Sequence, residues 1–262
     1  MRFQHELTKT NFNGLLLDPS IPAPSQGALI ADVATGTGTW ALDVANHNPD
    51  VHIEGLDVNL NEVPPKCWLP NNITFKHFNL LETLPKEFEE RYDIVHLQYV
   101  MIFVHDPDFP AVLQQLITML KPGGWLQWTD SDNNNWTWTT ATRNRSPTET
   151  VKLHGLYRAL FTQVPTRTWL SNLRSSFVKA GLDDVRWTKG GPQISTLQPA
   201  QMNWLWSIEE SRGVIEKRFP ERMYAIEQCF EQRQKALMEA DADKVGLDMC
   251  MIRCIGRKAP DC

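Results

Sequence analysis

The sequence predicts an α/β fold, a parallel sheet with helical insertions, and three observations carry the prediction. Short apolar runs alternate with helix-like stretches through the first half of the chain. Strands joined by such crossovers form a parallel sheet wound right-handed. A glycine/threonine loop, Thr35 to Thr39, directly follows the first apolar run. A helix with one apolar stripe ends in Pro122-Gly123-Gly124 and leads into a further strand.

Taken in order, Leu29-Ile30-Ala31-Asp32-Val33-Ala34 is a short, mostly apolar run, as a strand covered on both faces requires. Trp40 to Asn48 reads as a helix stopped before Pro49. Val51 to Asp57 is a second strand, Ile73 to Phe78 a third beyond a loop holding Pro64-Pro65 and Pro70, and Tyr92 to Gln98 a fourth. Phe109, Val112, Leu113, Leu116, Ile117 and Leu120 then line one helix face, with Asp108 placed to cap it and Lys121 to complement its negative end. Trp125 to Thr129 is a fifth strand. Further on, Ser171 to Gly181 predicts a sheet-packing helix leading to a strand near Val185-Arg186-Trp187. A helical stretch follows from about 198 to 240, with Met223, Ile226, Phe230 and Leu237 on one face, and Met249 to Ile255 is the last strand. No linker divides the chain, so one domain is expected.

Composition narrows the class. At about 150 residues per domain, 262 residues suit one large domain or one with a cap. A 42% apolar share with ten tryptophans excludes a disordered or low-complexity chain. The net charge of −5 and the lack of a Lys/Arg run give no pull towards nucleic acid or an anionic membrane. The run Val100 to Val104 falls far short of the ~20 apolar residues of a membrane span. The polar N-terminus does not read as a signal peptide. Five cysteines, an odd count without paired CxxC spacing, suggest reduced thiols in the cytoplasm and no zinc or other metal site. The sequence selects no oligomeric state.

The chemistry concentrates at Ala34-Thr35-Gly36-Thr37-Gly38-Thr39. In open α/β sheets ligands bind at the carboxyl ends of the strands, near the point where strand order reverses. Glycines let the backbone approach a ligand, and the N–H groups of the following helix favour an anionic group. Asp57, about 20 residues on at the end of the second strand, is placed to hold two ribose hydroxyls, which points to a ribose-bearing cofactor. Gly36-x-Gly38-x-x-Ala41 also satisfies a dinucleotide fingerprint, so an NAD-dependent oxidoreductase competes. Asp32 weighs against it: a carboxylate there repels a pyrophosphate but suits a cationic, amino-acid-bearing cofactor.

Asp32-Val33-Ala34-Thr35-Gly36-Thr37-Gly38 resembles the first motif of class I S-adenosylmethionine-dependent methyltransferases, an acid followed by a GxGxG loop. Leu56-Asp57-Val58 resembles the ribose-binding end of that family's second strand, and Phe78-Asn79-Leu80 stands where its adenine-contacting acid and neighbour stand. Tyr92 to His96 and Leu120 to Trp125 are similar to its fourth-strand motif and the loop before strand five. The likeness covers about residues 29–130, with 171–190 and 248–257 fitting a later helix and a closing antiparallel hairpin. More narrowly, Thr35 to Trp40, the proline-rich loop after Asp57 and Gly124 to Trp128 resemble fungal specialised-metabolite methyltransferases. There are two departures: Ala34 replaces the usual first glycine, and Asn79 replaces the usual acid while keeping an acceptor for the adenine amino group.

The resemblance implies a Rossmann-like, mostly parallel sheet within a single domain over 1–262. Its parts would be an N-terminal lid segment (1–28), a cofactor-binding core (29–147), a helical cap (148–165 and 198–240) and the closing helix and strands (171–190 and 248–257). The implied cofactor is S-adenosyl-L-methionine, with S-adenosyl-L-homocysteine as product. Its contacts would fall at Asp32, Ala34, Thr35, Gly36, Gly38, Trp40, Asp57, Val58, Asn79, Leu80 and Gln98.

Methyl transfer is an in-line displacement in which the protein mainly positions nucleophile and methyl, about 3–3.5 Å apart. A base matters only where the acceptor must lose a proton. His105 and Asp130 are the base candidates, with His5 behind them, and Asp132 follows strand five on the substrate side. Tyr99, Met101, Trp128 and Trp136, near the ends of strands four and five, are the candidates for contact with a small-molecule substrate. Each has a plainer reading: a histidine satisfied by its own turn, a solvated loop acid, or core aromatics. Trp125, Trp138, Met202, Trp204 and Trp206 divide in the same way between pocket and core. The expected function is methyl transfer to an O or N atom, less readily S or C, of a small specialised metabolite. A cyclase or pericyclase on the same fold, and a non-catalytic S-adenosylmethionine-binding regulator, remain alternatives.

Overall fold

The computed structural model describes residues 2–141, 145–160 and 167–260. Of the segments expected from sequence, residue 1 of the lid, 142–144 of the core span and 161–165 of the first cap stretch lie outside the described residues, as does Cys262. By internal packing the chain divides into two compact units. The first comprises Met1–Asp132, Thr166–Gly190 and Met251–Cys262, and the second Asn133–Pro165 and Gly191–Cys250.

The first unit opens on a helix with no apolar stripe to announce it, α1 (Arg2–Asn11), which buries His5, Leu7, Thr8 and Asn11. Then follow β1 (Leu29–Val33), α2 (Thr39–His47), β2 (His52–Asp57), β3 (Ile73–His77), β4 (Tyr92–Gln98), α3 (Phe109–Met119) and β5 (Leu120–Ser131). The second unit contributes β6 (Thr137–Thr139) and α4 (Thr148–Leu160). The chain returns to the first for α5 (Trp169–Lys179) and β7 (Asp183–Lys189). It then runs through α6 (Ile194–Arg218), α7 (Met223–Asp243) and β8 (Gly246–Asp248) of the second unit, and ends in β9 (Met251–Arg257) of the first.

The seven-stranded sheet has the order β3-β2-β1-β4-β5-β9-β7. Its first five strands pair parallel, and β9 runs antiparallel to both β5 and β7. This is the mostly parallel Rossmann-like sheet with an antiparallel closure that the sequence predicts. Val33, Leu56 and Leu97 stand in register, so β1, β2 and β4 present their carboxyl ends side by side. Strand order reverses between β1 and β4, where a crevice for a ligand is expected. Under α2, Trp40, Ala41 and Val44 pack on Ile30, Ile53 and Ile94.

Several local expectations need correction. The connections from β2 to β3 and from β3 to β4 carry only short 3-10 turns, at Leu60–Glu62, Lys66–Trp68 and Lys86–Phe88, so α2 and α3 are the α-helical crossovers among the described residues. Asp108 makes no side-chain cap to α3 and is itself helical in backbone. Lys121 bonds Asp93 at 2.7 Å instead of serving the end of α3. Extended pairing begins at Leu120, five residues before Trp125. Gly124 permits it, since a Cβ there would meet the Lys121 carbonyl oxygen at 2.9 Å. The stretch 198–240 is two helices broken at Pro220, because proline has no N–H for the helix ladder. Met223, at the start of α7, is exposed, while Ile226 and Phe230 are buried. Met249 and Cys250 lie between β8 and β9 and outside both strands, with Cys250 left-handed (φ 45°), and the small β6–β8 sheet carried no sequence signal.

Midway along β2, Glu54 is buried and bonded by Lys76, Arg91 and the Tyr92 hydroxyl at 2.7–2.8 Å. Burial opposes its charge, but these donors outweigh it and bring the carboxyl down to about 2. The cluster ties β2 to β3 and β4.

Candidate functional site

The carboxyl end of β1 turns sharply. Ala34 takes a left-handed conformation (φ 56°), as do Gly36 (φ 56°) and Gly38 (φ 71°). A Cβ on Gly38 would also lie 2.5 Å from the Phe75 ring on β3, so this position excludes side chains twice over. The amide of Thr35 donates to the Leu56 carbonyl at 3.1 Å, which ties the loop to β2.

Asp57 closes the other side. Its Oδ2 accepts from the Gly36 amide at 2.8 Å and its Oδ1 from the Asn59 amide at 3.0 Å. The carboxylate therefore has a fixed orientation, stays partly exposed and keeps further lone pairs, as ribose hydroxyls require. Asn79, beyond β3, accepts from the Leu81 amide at 3.1 Å and donates to Glu82 at 2.7 Å. Leu80 is buried beside it, Val58 is exposed after Asp57, and Gln98 is half-buried at the end of β4. The residues expected at a ribose and adenine site thus gather at the ends of adjacent strands.

Asp32 and Trp40 sit beneath this loop. Asp32 is buried; Thr35 donates its hydroxyl to Oδ2, and His96 Nδ1 lies 2.8 Å from Oδ1. Trp40 stacks flat on the His96 ring, with centroids 3.6 Å apart. Burial lowers the His96 pKa against the pull of Asp32. A neutral imidazole bonded to a carboxylate donates from Nδ1. Asp32 and Trp40 therefore brace the loop from below, with their side chains turned into the core.

Helix α1 is tied to the same region. His5 Nε2 lies 3.0 Å from Asp43 on α2, and Lys9 Nζ lies 2.7 Å from the same carboxylate oxygen. Burial works against the Asp43 charge, yet bonds from His5 and Lys9 hold its pKa below the ordinary range. Thr8 bonds the Tyr99 hydroxyl at 2.7 Å, and Tyr99 is itself left-handed (φ 56°). Further along, Gln127 bonds the Asp18 amide and the Leu16 carbonyl, while Arg253 reaches the Leu15 carbonyl and covers the Phe12 ring. The segment expected as a lid is thus anchored by buried polar groups. Nothing in the sequence beyond the i, i+4 spacing of His5 and Lys9 foretold the Asp43 contact, and His96 and Gln127 were missed as site supports.

Asp130 is fully buried. Its oxygens accept from the Met101 amide at 3.1 Å, Trp128 Nε1 at 3.2 Å and the Ser131 amide at 3.0 Å. Burial pushes its carboxyl up to about 7 despite these donors. Trp128 has no exposed surface and packs against Phe109 and Trp169, so its ring belongs to the core. Asp132 is buried and bonded by Ser171. Tyr99, Met101 and His105 are half-buried, and the His105 carbonyl accepts the first amides of the α3 turn.

In the second unit, Trp136 belongs to a cluster with Trp138, Trp204 and His154, whose ring centroids are 4.7–6.3 Å apart. Burial, with Arg158 nearby, lowers His154 to about 4. Trp204 is buried there, while Trp206 is exposed.

Comparison with known proteins agrees with this geometry. Residues 6–186 match a family model described as a methyltransferase domain. The N-methyltransferase verN of Clonostachys rogersoniana is 34% identical over 128 residues, 48% of this chain and 44% of that protein. The methyltransferase grgD of a Penicillium species is 27% identical over 211 residues, 73% of this chain and 70% of that protein. The matched stretch is thus less than half the length of verN. Among solved structures, the [4+2]-cyclase SpnF superposes with a TM-score of 0.54 at 18% identity, covering 98% of this chain and 81% of that one. The Haemonchus contortus phosphoethanolamine N-methyltransferase 2, in complex with S-adenosyl-L-methionine, gives 0.51 at 14% identity, covering 96% and 52%. At such identities these two structures speak for the fold.

Proposed function

The chain belongs to the methyltransferase-domain family, and from that premise we propose that it transfers a methyl group from S-adenosylmethionine to an O or N atom of a small specialised metabolite. The observation that carries the reading is Asp57, fixed by the Gly36 amide across the mouth of the β1 loop with its carboxylate still open to a ligand. Similarity to fungal relatives named as methyltransferases, one of them an N-methyltransferase, supports the reaction. The family match removes the support for a dinucleotide oxidoreductase.

In this reading Asp57 holds the ribose hydroxyls, Asn79 with Leu80 and Val58 borders the adenine, and Gly36 and Gly38 leave the backbone bare against the cofactor. Ala34, Thr35 and Gln98 border the remainder of the cofactor site. Asp32 and Trp40 act as positioning residues through Thr35 and His96. When bound, the cofactor supplies a methyl group on a sulfonium, open to in-line attack. Tyr99 and Met101 are proposed to border the acceptor, and His105 to take its proton where one must leave. Asp130 is better suited to bracing Met101 than to proton transfer, because its oxygens are bonded to fixed donors and closed from solvent. Trp128 supports the same wall from within the core. Free thiols at Cys67, Cys229 and Cys254 suit a reducing, cytoplasmic compartment. Among the described residues no helix is long and apolar enough to cross a membrane.

The test is a panel of aromatic and polycyclic hydroxyl and amine compounds incubated with S-adenosylmethionine and read by mass spectrometry. A product heavier by one CH₂, with S-adenosylhomocysteine formed in equal amount, supports methyl transfer. A rearranged product of unchanged mass would make the chain a cyclase instead.

A further inference from the structure

His5 carries a feature that the packing of α1 does not explain. Its side chain is almost wholly buried, Nε2 is taken by Asp43, and Nδ1 is closed from water with no hydrogen-bond partner among the described residues. A buried polar atom left without a partner is costly, and such atoms in native proteins commonly await a ligand or water. On the same helix, Thr8 bonds the Tyr99 hydroxyl at 2.7 Å, just past the carboxyl end of β4. Asp43, which orients His5, stands one turn into the helix that rises from the Gly36–Gly38 loop.

The other polar groups here are already engaged. Asp32 has one oxygen on Thr35 and the other on His96. Asp43 is shared by His5, Lys9 and His47. The acid at the end of β1 is therefore spent on bracing the loop, while the neighbouring imidazole keeps one nitrogen in reserve. Asp43 can only accept, so the proton of His5 sits on Nε2, and Nδ1 is left to meet a ligand group.

We propose that His5 Nδ1 binds the amino-acid end of the S-adenosyl cofactor, accepting a hydrogen bond from its α-ammonium group. The inference rests on the cofactor reading above and adds a contact outside the loop and strand ends. It gives α1 a task in recognition: Asp43 and Lys9 hold the helix down so that His5 is presented in one orientation.

Two ligands and two variants test it by calorimetry. S-adenosylhomocysteine carries the amino-acid group, and 5′-deoxy-5′-methylthioadenosine lacks it. His5→Gln keeps an amide at the Nε2 position for Asp43 and removes Nδ1, whereas His5→Asn keeps a polar atom near the Nδ1 position and gives up Asp43. His5→Gln is expected to weaken S-adenosylhomocysteine by about tenfold or more, the scale of one hydrogen bond to a charged group, and to leave methylthioadenosine unchanged. His5→Asn is expected to retain wild-type affinity for S-adenosylhomocysteine within about threefold. A Gln variant that binds S-adenosylhomocysteine as wild type does, or that loses both ligands equally, would overturn the assignment. Wild type that fails to bind S-adenosylhomocysteine would overturn the cofactor reading and this inference together. Histidine-ring ¹⁵N spectra of the wild-type protein test the same contact without a variant. The Nδ1 resonance of His5 is expected to move with S-adenosylhomocysteine but not with methylthioadenosine, and its failure to move would refute the contact.

Discussion

Replacing Gly38 by alanine puts the glycine loop to a quantitative test. The residue sits at φ 71°, where a Cβ costs about 1–2 kcal/mol by crowding its own backbone. The new methyl would also lie 2.5 Å from Phe75 Cζ and 2.8 Å from Cε1, well inside contact distance. Overpacking of that kind costs about 1–3 kcal/mol as the ring moves aside. The expected loss is thus about 2–5 kcal/mol, read by urea unfolding. Gly181 provides the control. It is equally left-handed (φ 83°) but has nothing within 4 Å of where an added methyl would sit, so Gly181→Ala should show the backbone cost alone. A third variant, Gly38→Ala with Phe75→Leu, should recover part of the difference, because the two sites interact and their effects are not additive. Equal losses at Gly38 and Gly181 would refute the close approach of β3 to the loop.

Three further outcomes follow from particular residues. Asp57→Ala should weaken S-adenosylhomocysteine binding by about 10–100-fold, since hydrogen bonds to a charged acceptor are worth about 1.5–3 kcal/mol; unchanged affinity in calorimetry would remove the ribose assignment. Asp130, raised from 3.8 to about 7, holds its proton in the folded state over a range where the unfolded chain has lost it. Stability should therefore fall as pH rises from about 4 to about 7, and Asp130→Asn should flatten that slope in urea titrations across the same window. Glu54 acts with the opposite sign. Lowered from 4.5 to about 2, it contributes on the order of 3 kcal/mol above pH 4.5 that is lost as pH falls towards 2, and Glu54→Gln should abolish that acid dependence.

The sheet and its loop were legible because their signals are local. Apolar runs, a glycine turn and an acid at the end of the second strand locate β1, α2 and β2 and bring Asp57 to Gly36. What escaped the sequence depends on contacts between distant segments. Helix α1 buries His5, Thr8 and Asn11, polar residues that leave no apolar stripe to read. His96 lies inside a strand and shows its role only when Asp32 and Trp40 close around it. Asp130 and Trp128 read as pocket residues from their place near a strand end, yet pair with each other in the core. The short β6–β8 sheet joins residues about a hundred positions apart, beyond the reach of any local pattern.

The most direct test of the account is calorimetric binding of S-adenosylhomocysteine and, separately, NAD to the wild-type protein. One-to-one binding of S-adenosylhomocysteine and no binding of NAD are expected. Binding of NAD alone, or of neither ligand, would contradict the account.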